Sequence, residues 1–212
     1  MEKITCFLNF RSPYGYLGVK KAQERGIKLD YIPVCYLPKE LIKFLSTASE
    51  NEYKRSYLFE DCERLFKEIG IENVSETISK EANWPKVHAS WLCAQENGFG
   101  DSFMIEMFDA RWKEKLDIGN KEVIEEICSK IGFDKDLAIS AMDEESYDTR
   151  LKSFTKIMRE NKVFGVPTFL YKNERYWGQD RINMLYNKVL KDSWALLIQL
   201  CCHLIVKYPH HY

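Results

Sequence analysis

The feature that most constrains the fold is an alternating apolar segment near the N-terminus that stops abruptly at a serine and a proline. Residues 3–10 are rich in β-branched and aromatic side chains and end at Arg11-Ser12-Pro13, which predicts a buried strand followed by a turn. From Pro13 the apolar residues recur at helical spacing as far as Gly26, and proline suits the first turn of a helix because an N–H would be unpaired there. A second strand-like run over 28–34 completes a strand-helix-strand unit, for which a right-handed crossover between parallel strands is expected.

The central part of the sequence changes to an almost entirely helical pattern. From about residue 38 to residue 161, apolar side chains recur at spacings of three and four, which is typical of amphipathic helices. Asn120 is a candidate N-cap, and Gly70, Gly98 and Gly132 lie where helices are expected to end. The pattern predicts a helical subdomain.

Beyond residue 165 the pattern indicates strands again. Residues 167–171 and 175–177 predict a β-hairpin with Asn173 at its turn, and residues 178–181 open a last helix. This order predicts an α/β fold in which a thioredoxin-like domain, βαβ followed by ββα, is interrupted by a helical insertion domain. We place the thioredoxin-like domain at 1–37 and 163–192, the inserted helical domain at 38–162, and a C-terminal tail at 193–212.

Charge and hydropathy restrict the class of partner. The 31 basic and 32 acidic residues give a net charge of −1 without a long run of like charges, so a nucleic-acid surface, which needs clustered Lys and Arg, is not expected. The N-terminal apolar stretch is too short for a signal peptide, which favours a cytoplasmic location.

The apolar tail from Trp194 to Val206 is thirteen residues long, shorter than the ~20 that span a bilayer. No membrane span is predicted. The tail is interpreted as a helix packed on the domain or on a homodimer partner; a poorly packed C-terminus is the alternative.

The seven cysteines include no C-x-x-C pair, so neither a zinc ribbon nor a dithiol redox pair is predicted. Most are expected to be reduced core residues. Cys201-Cys202-His203 with His210 and His211 is the remaining candidate for a soft metal, but adjacent cysteines rarely reach one tetrahedral ion together. No metal site is therefore predicted.

Three places near the ends of the predicted strands are suited to carry chemistry. Ser12 begins the first helix, where the helix dipole favours an anion such as a thiolate; by position alone a plain N-cap is the simpler interpretation. The Val166-Pro167 bond is either trans or cis, and a cis bond would leave the Val166 backbone to pair with a peptide-like ligand. Gln179 and Asp180 open the last helix. Asp180 there is either an N-cap or the partner of an ammonium group.

Taken in order, these segments carry a family resemblance. Residues 10–17, Phe-Arg-Ser-Pro-Tyr-Gly-Tyr-Leu, are similar to the opening motif of the 2-hydroxychromene-2-carboxylate isomerases and kappa-class glutathione transferases, a branch of the DsbA-like thioredoxin superfamily. Residues 165–169 and 177–181 resemble the second and third signatures of that family. The resemblance covers about residues 3–190. Residues 83–88 depart from the family's Asn-Ser/Thr-x-x-Ala-x-Arg helix, and residues 38–49 differ as well.

The resemblance implies glutathione as the cofactor and an aromatic or electrophilic small molecule as the substrate. Ser12 would be the catalytic residue, hydrogen-bonded to the glutathione thiolate in place of the first cysteine of a redox motif. The implied cofactor-binding residues are Ser12, Pro13, Asn51, Lys54, Val166, Pro167, Gln179 and Asp180.

The resemblance also implies which part of the tripeptide each residue binds. Val166, beside a cis Pro167, would pair with the cysteinyl backbone, and Gln179 and Asp180 would hold the γ-glutamyl end. Lys54 and Asn51 would reach the remaining carboxylate or the substrate.

Two classes of enzyme and one binding function are compatible with these residues. An isomerase would regenerate glutathione and a transferase would leave it attached to the product. A DsbA-like thiol-disulfide oxidoreductase is an alternative, although Ser12 and Gly15 provide neither cysteine of a dithiol, and Cys6 and Cys35 fall in predicted strands. A non-catalytic glutathione-binding module is the other alternative. His88 shares a helical face with Trp84 and Trp91 and is interpreted as a core residue rather than a general base.

Overall fold

The computed structural model describes residues 3–42, 51–78 and 80–207, with side chains up to residue 195. The strands and helices in these ranges follow the order that the sequence predicts. They are β1 (Ile4–Leu8), α1 (Pro13–Glu24), β2 (Leu29–Pro33), α2 (Glu52–Glu68), α3 (Val74–Ile78), α4 (Trp84–Glu96), α5 (Gly100–Trp112), α6 (Lys121–Ile131), α7 (Lys135–Ala141), α8 (Glu145–Glu160), β3 (Thr168–Tyr171), β4 (Glu174–Trp177) and α9 (Ile182–Lys207).

The four strands form one mixed sheet in the order β2-β1-β3-β4. β1 and β2 are parallel, whereas β3 is antiparallel to both β1 and β4. The predicted strand-helix-strand unit and hairpin are therefore confirmed. The hairpin turns at Lys172 and Asn173, both with positive φ (48° and 66°), as expected for a two-residue turn that matches the twist of its strands.

β1 is one of the two inner strands and is buried on both faces. Cys6 and Leu8 belong to the main core, whereas Phe7 packs in a second cluster with Met158 of α8 and Val163. Alternate residues of a strand point to opposite faces. Helices thus cover both sides of the sheet, as a thioredoxin-like α/β fold requires.

The helix boundaries that the sequence indicates between β2 and β3 are found in the structure. The side chain of Asn120 caps α6 by accepting from the Glu122 N–H, and Gly132 ends the same helix with φ at 74°. Gly70 and Gly98 have φ values of 78° and 83° at the ends of α2 and α4, a backbone conformation that glycine adopts without steric cost.

Phe10 connects the sheet to these helices. Its ring lies 5.2 Å from Trp91 of α4 and 4.9 Å from Phe108 of α5, measured between ring centroids. The segment after β1 is thus anchored in the helical core. The predicted domain boundaries stay predictions, and α9 continues as one helix through the expected start of the tail at residue 193.

No helix within the described ranges has the length and apolar content of a membrane span. The same residues hold no cluster of His, Cys, Asp or Glu side chains suited to a metal ion. The side chains of Cys201, Cys202 and His203, and residues 208–212 altogether, lie outside the described part of the chain.

Candidate functional site

Ser12 lies at the junction of β1, α1 and the segment that enters β3. Its Oγ accepts a hydrogen bond from the Gly15 N–H at 3.0 Å, which is the N-cap interaction of α1. The same hydroxyl donates its single proton to the backbone oxygen of Val166 at 3.4 Å. The cap interpretation is confirmed, and capping leaves the hydroxyl proton directed towards the entrance of β3.

The Val166–Pro167 peptide bond is cis. Pro167 is buried against α1: a Cβ added to Gly18 would lie 3.3 Å from the proline ring, so the glycine allows a close approach that a larger residue would crowd. The Pro167 carbonyl accepts from the Gly178 N–H at 2.9 Å. Val166 is half-buried, and within the described residues its backbone N–H donates to no acceptor. A backbone donor therefore remains open beside Ser12.

The exposed side chain of Trp177 lies near the Val166 backbone N–H. A Cβ on Gly165 would lie only 2.7 Å from the indole nitrogen of Trp177, so the tryptophan covers the backbone just before Val166. The Trp177 ring also packs on Phe164 with centroids 4.8 Å apart, yet 53% of the residue is exposed. The sequence pattern places Trp177 in the predicted hairpin and in a family signature but indicates no role for its side chain. Its place at the end of an edge strand, next to a glycine, is the signal that could have identified it.

Gln179 and Asp180 lie in a single 3-10 turn, Gln179–Arg181, that precedes α9. Gly178 occupies the N-cap of this turn with φ at 98°, and no side chain caps it. The interpretation of Asp180 as an N-cap is therefore wrong, because the turn already begins at Gln179, behind an N-cap two residues before Asp180. The exposed Asp180 carboxylate instead accepts from the Arg181 guanidinium at 2.6 Å.

Lys21 is a neighbour of this turn that sequence reasoning missed. Its ammonium on α1 donates to Oε1 of Gln179, which is buried. Because the amide oxygen is used by Lys21, the amide NH2 of Gln179 is the group left to donate to a ligand. The contact joins residues 158 positions apart, and nothing local in the sequence distinguishes Lys21 from the other lysines.

Asn51 and Lys54 lie at the exposed start of α2. Asn51 is the N-cap of that helix and accepts from the Lys54 N–H at 3.1 Å. About two turns further along α2 than Lys54, Asp61 accepts from the Tyr14 hydroxyl at 2.8 Å, which places α2 beside the start of α1. Among the described residues no hydrogen bond joins Asn51 or Lys54 to Ser12, so their predicted part in binding stays a prediction.

His88 is a core residue, as predicted. It is fully buried, its Nδ1 lies 2.8 Å from the Trp84 carbonyl oxygen, and its Nε2 accepts from the Phe10 N–H at 3.3 Å. Burial lowers the pKa of the imidazole to about 4. A neutral ring with both nitrogens engaged cannot serve as a general base.

The described cysteines are poor candidates for a reactive thiol. Cys6, Cys62, Cys93 and Cys128 are buried and Cys35 is partly buried. Burial raises the pKa of the Cys6 and Cys35 thiols, because the charged thiolate is disfavoured away from water. Cys6 lies in β1 as predicted, whereas Cys35 follows β2 by two residues.

A comparison of the sequence with known protein families agrees with this fold. The sequence model of the DSBA-like thioredoxin domain matches residues 3–189. The chain belongs to the DsbA-like thioredoxin family.

Members of this family with similar sequence or structure carry two kinds of name. A Pseudomonas putida protein named 2-hydroxychromene-2-carboxylate isomerase is 25% identical over 189 residues, which cover 86% of this chain and 91% of that protein. A solved structure of a 2-hydroxychromene-2-carboxylate isomerase is 22% identical, with a TM-score of 0.70 over 95% of this chain and 98% of that chain. The cytosolic disulfide reductase DsbM from Pseudomonas aeruginosa has a TM-score of 0.64 at 15% identity, over 92% and 99% of the two chains.

Proposed function

We propose that this DsbA-like protein is a glutathione-dependent enzyme, either an isomerase of the 2-hydroxychromene-2-carboxylate isomerase type or a glutathione transferase. Its substrate would be an aromatic or otherwise electrophilic small molecule. The observation that carries the proposal is the Ser12 hydroxyl, held at the N-terminus of α1 and directed at the Val166 carbonyl next to the cis proline. The isomerase named in Pseudomonas putida, which matches over most of both chains, supports the same class of reaction.

The groups around Ser12 fit the thiol of a bound tripeptide. Bound glutathione supplies a nucleophilic sulfur. The 3.4 Å bond from Ser12 to Val166 is long for a hydroxyl donor, so the proton can turn to a nearby anion at little cost. The N-terminus of α1 adds the positive end of a helix dipole, which stabilises a thiolate at the same place.

The rest of the site offers groups for the peptide part of glutathione. The unpaired N–H of Val166 suits the carbonyl of an extended ligand. The Gln179 amide, oriented by Lys21, suits a carboxylate, and the exposed Asp180 carboxylate suits an ammonium group. Val166 contacts Ser12 at the start of α1 and Gln179 contacts Lys21 of the same helix, which supports a single elongated ligand.

The oxidoreductase alternative is disfavoured by the residues at positions 12 and 15. Serine and glycine stand there, and the described cysteines are buried or partly buried. In a variant with Cys201 and Cys202 replaced by serine, we expect thiol reagents to label the folded protein only slowly. Rapid labelling of a thiol with catalytic turnover of a disulfide substrate would favour the oxidoreductase instead.

Ligand-dependent melting tests the proposed cofactor. Millimolar glutathione is expected to raise the melting temperature, because a ligand that binds only the native state stabilises it by mass action. S-methylglutathione keeps the peptide contacts but forms no thiolate, so it should stabilise the protein less. The absence of a shift with either compound would contradict glutathione as the cofactor.

The fate of the thiol separates the two enzyme classes. With a conjugated aromatic substrate, an isomerase leaves the concentration of free glutathione unchanged, whereas a transferase consumes one thiol per product formed. Binding of glutathione without turnover of any electrophile would indicate the non-catalytic module. The cytoplasmic location and the homodimer stay predictions.

A further inference from the structure

The turn between β1 and α1 has three consecutive backbone N–H groups before Pro13, and each has a different acceptor. The Ser12 N–H donates to the Asn9 carbonyl oxygen at 3.0 Å. The Arg11 N–H donates to Oδ1 of Asn9 at 2.7 Å, while Nδ2 of Asn9 donates to the Val34 carbonyl at 2.6 Å. These contacts tie the turn to itself and to the end of β2.

The remaining N–H, that of Phe10, is held from outside the sheet. It donates to Nε2 of His88, which lies on α4 and is 78 residues away in sequence. The rings of Phe10 and His88 also pack with centroids 4.6 Å apart. A side chain of the helical region therefore supplies the acceptor for the backbone of the turn that ends at Ser12.

The two partners of His88 determine its proton. A backbone N–H can only donate, so Nε2 must present its lone pair to Phe10; a carbonyl oxygen can only accept, so Nδ1 must carry the proton towards Trp84. The imidazole is fully buried, and burial keeps it neutral near pH 7 by lowering its pKa to about 4. One fixed tautomer thus holds the turn in one position.

We propose that His88 is a positioning residue for Ser12, through its hydrogen bond to the Phe10 N–H. This inference rests on the proposed function, in which the direction of the Ser12 hydroxyl sets the acidity of a bound thiol. Loss of the acceptor leaves the Phe10 N–H buried without a partner, which costs free energy unless the turn moves to pair it. Movement of the turn carries Ser12 away from Val166.

Two substitutions separate the acceptor from the packing. His88→Phe keeps an aromatic ring beside Phe10 but removes the acceptor, whereas His88→Gln keeps both an acceptor and a donor. Phe108→Leu is the matched control, because Phe108 packs on the Phe10 ring and makes no hydrogen bond to the turn. All three variants are expected to be less stable than the wild type.

Amide hydrogen exchange in the ligand-free protein is the first measurement. We expect faster exchange at Phe10 and Ser12 in His88→Phe than in Phe108→Leu at matched global stability, and near wild-type exchange in His88→Gln. Equal exchange at the turn in all three variants would overturn the positioning role. This result does not depend on any ligand, so it stands even if glutathione fails to bind.

The acidity of the bound thiol is the second measurement. With glutathione bound, His88→Phe is expected to raise the thiol pKa by about one, within the range for loss of a hydrogen bond to a charged group, and His88→Gln is expected to restore it. An unchanged thiol pKa in His88→Phe would show that His88 stabilises the fold but does not position Ser12. Absence of glutathione binding to the wild type would instead overturn the proposed function. The hydrogen-exchange result would then decide alone whether His88 holds the turn.

Discussion

The hydroxyl oxygen of Ser12 lies 3.4 Å from the carbonyl oxygen of Val166, across 154 residues of sequence. The first is fixed by the N-cap of α1 and the second by the cis bond to Pro167. The two groups meet because the C-terminal end of β1 and the N-terminal end of β3 lie side by side at one end of the sheet. Removing the Ser12 hydroxyl should therefore affect ligand chemistry more than folding.

The most direct prediction concerns Ser12→Ala. The variant should still bind glutathione but raise the pKa of its thiol by about one to two, because a hydrogen bond to a charged group contributes roughly 1.5–3 kcal/mol. Titration of thiolate absorbance against pH, with glutathione bound, measures this. Asn120→Ala is the control: it removes the cap of α6 and costs about 1 kcal/mol of stability, without touching the thiol. Coincident titration curves for Ser12→Ala and the wild type would show that Ser12 only caps α1 and does not affect the thiol.

Asp180→Asn is expected to weaken glutathione binding by about tenfold, since an amide cannot pair with an ammonium group. The stability of the protein should change by less than about 0.5 kcal/mol, because the exposed Asp180 caps no helix. Calorimetric titration decides the first point and urea unfolding the second.

Arg181→Gln provides the opposite test at the same carboxylate. Arg181 pairs with Asp180 at 2.6 Å in the ligand-free protein and competes with an ammonium group for it. Binding should be as tight as in the wild type or tighter. A loss of affinity equal to that of Asp180→Asn would mean that the two residues act only as a structural pair.

The sequence identified the parts of the site that depend on local signals. Ser12 with Pro13 marks a helix start, and Asn173 marks a hairpin turn. It did not identify the contacts of Lys21 with Gln179 or of His88 with Phe10, because these join residues 158 and 78 positions apart and leave no periodic pattern. The N-cap interpretation of Asp180 is wrong for a local reason: a 3-10 turn with Gly178 at its N-cap precedes the helix, and the sequence of this turn resembles a helix start.

Gly165→Ala is expected to destabilise the protein by about 1–3 kcal/mol, because the new Cβ would lie 2.7 Å from the indole nitrogen of Trp177. It should also lower glutathione affinity by displacing Val166. The same substitution in a Trp177→Ala background removes the close contact. Urea unfolding of the four proteins therefore gives a coupling energy, and purely additive effects would show that Trp177 does not cover Gly165 in solution.

The buried His88 predicts a specific dependence of stability on pH. Its pKa is lowered to about 4 in the folded protein, by burial, from about 6.5 in an unfolded chain. Between these values the unfolded chain binds a proton that the folded protein does not, so the free energy of unfolding rises with pH across this window and falls as the solution is acidified.

From pH 7 to pH 5 the loss attributable to His88 is about 2 kcal/mol. Urea unfolding of the wild type and of His88→Gln at both pH values measures this loss as the difference between the two proteins. The contribution of the carboxylates that both proteins share cancels in that difference. The glutamine variant, which does not titrate there, should lose correspondingly less stability than the wild type. If both proteins lose the same amount, His88 is accessible to protons in the folded state, and the neutral acceptor that holds Phe10 is not maintained.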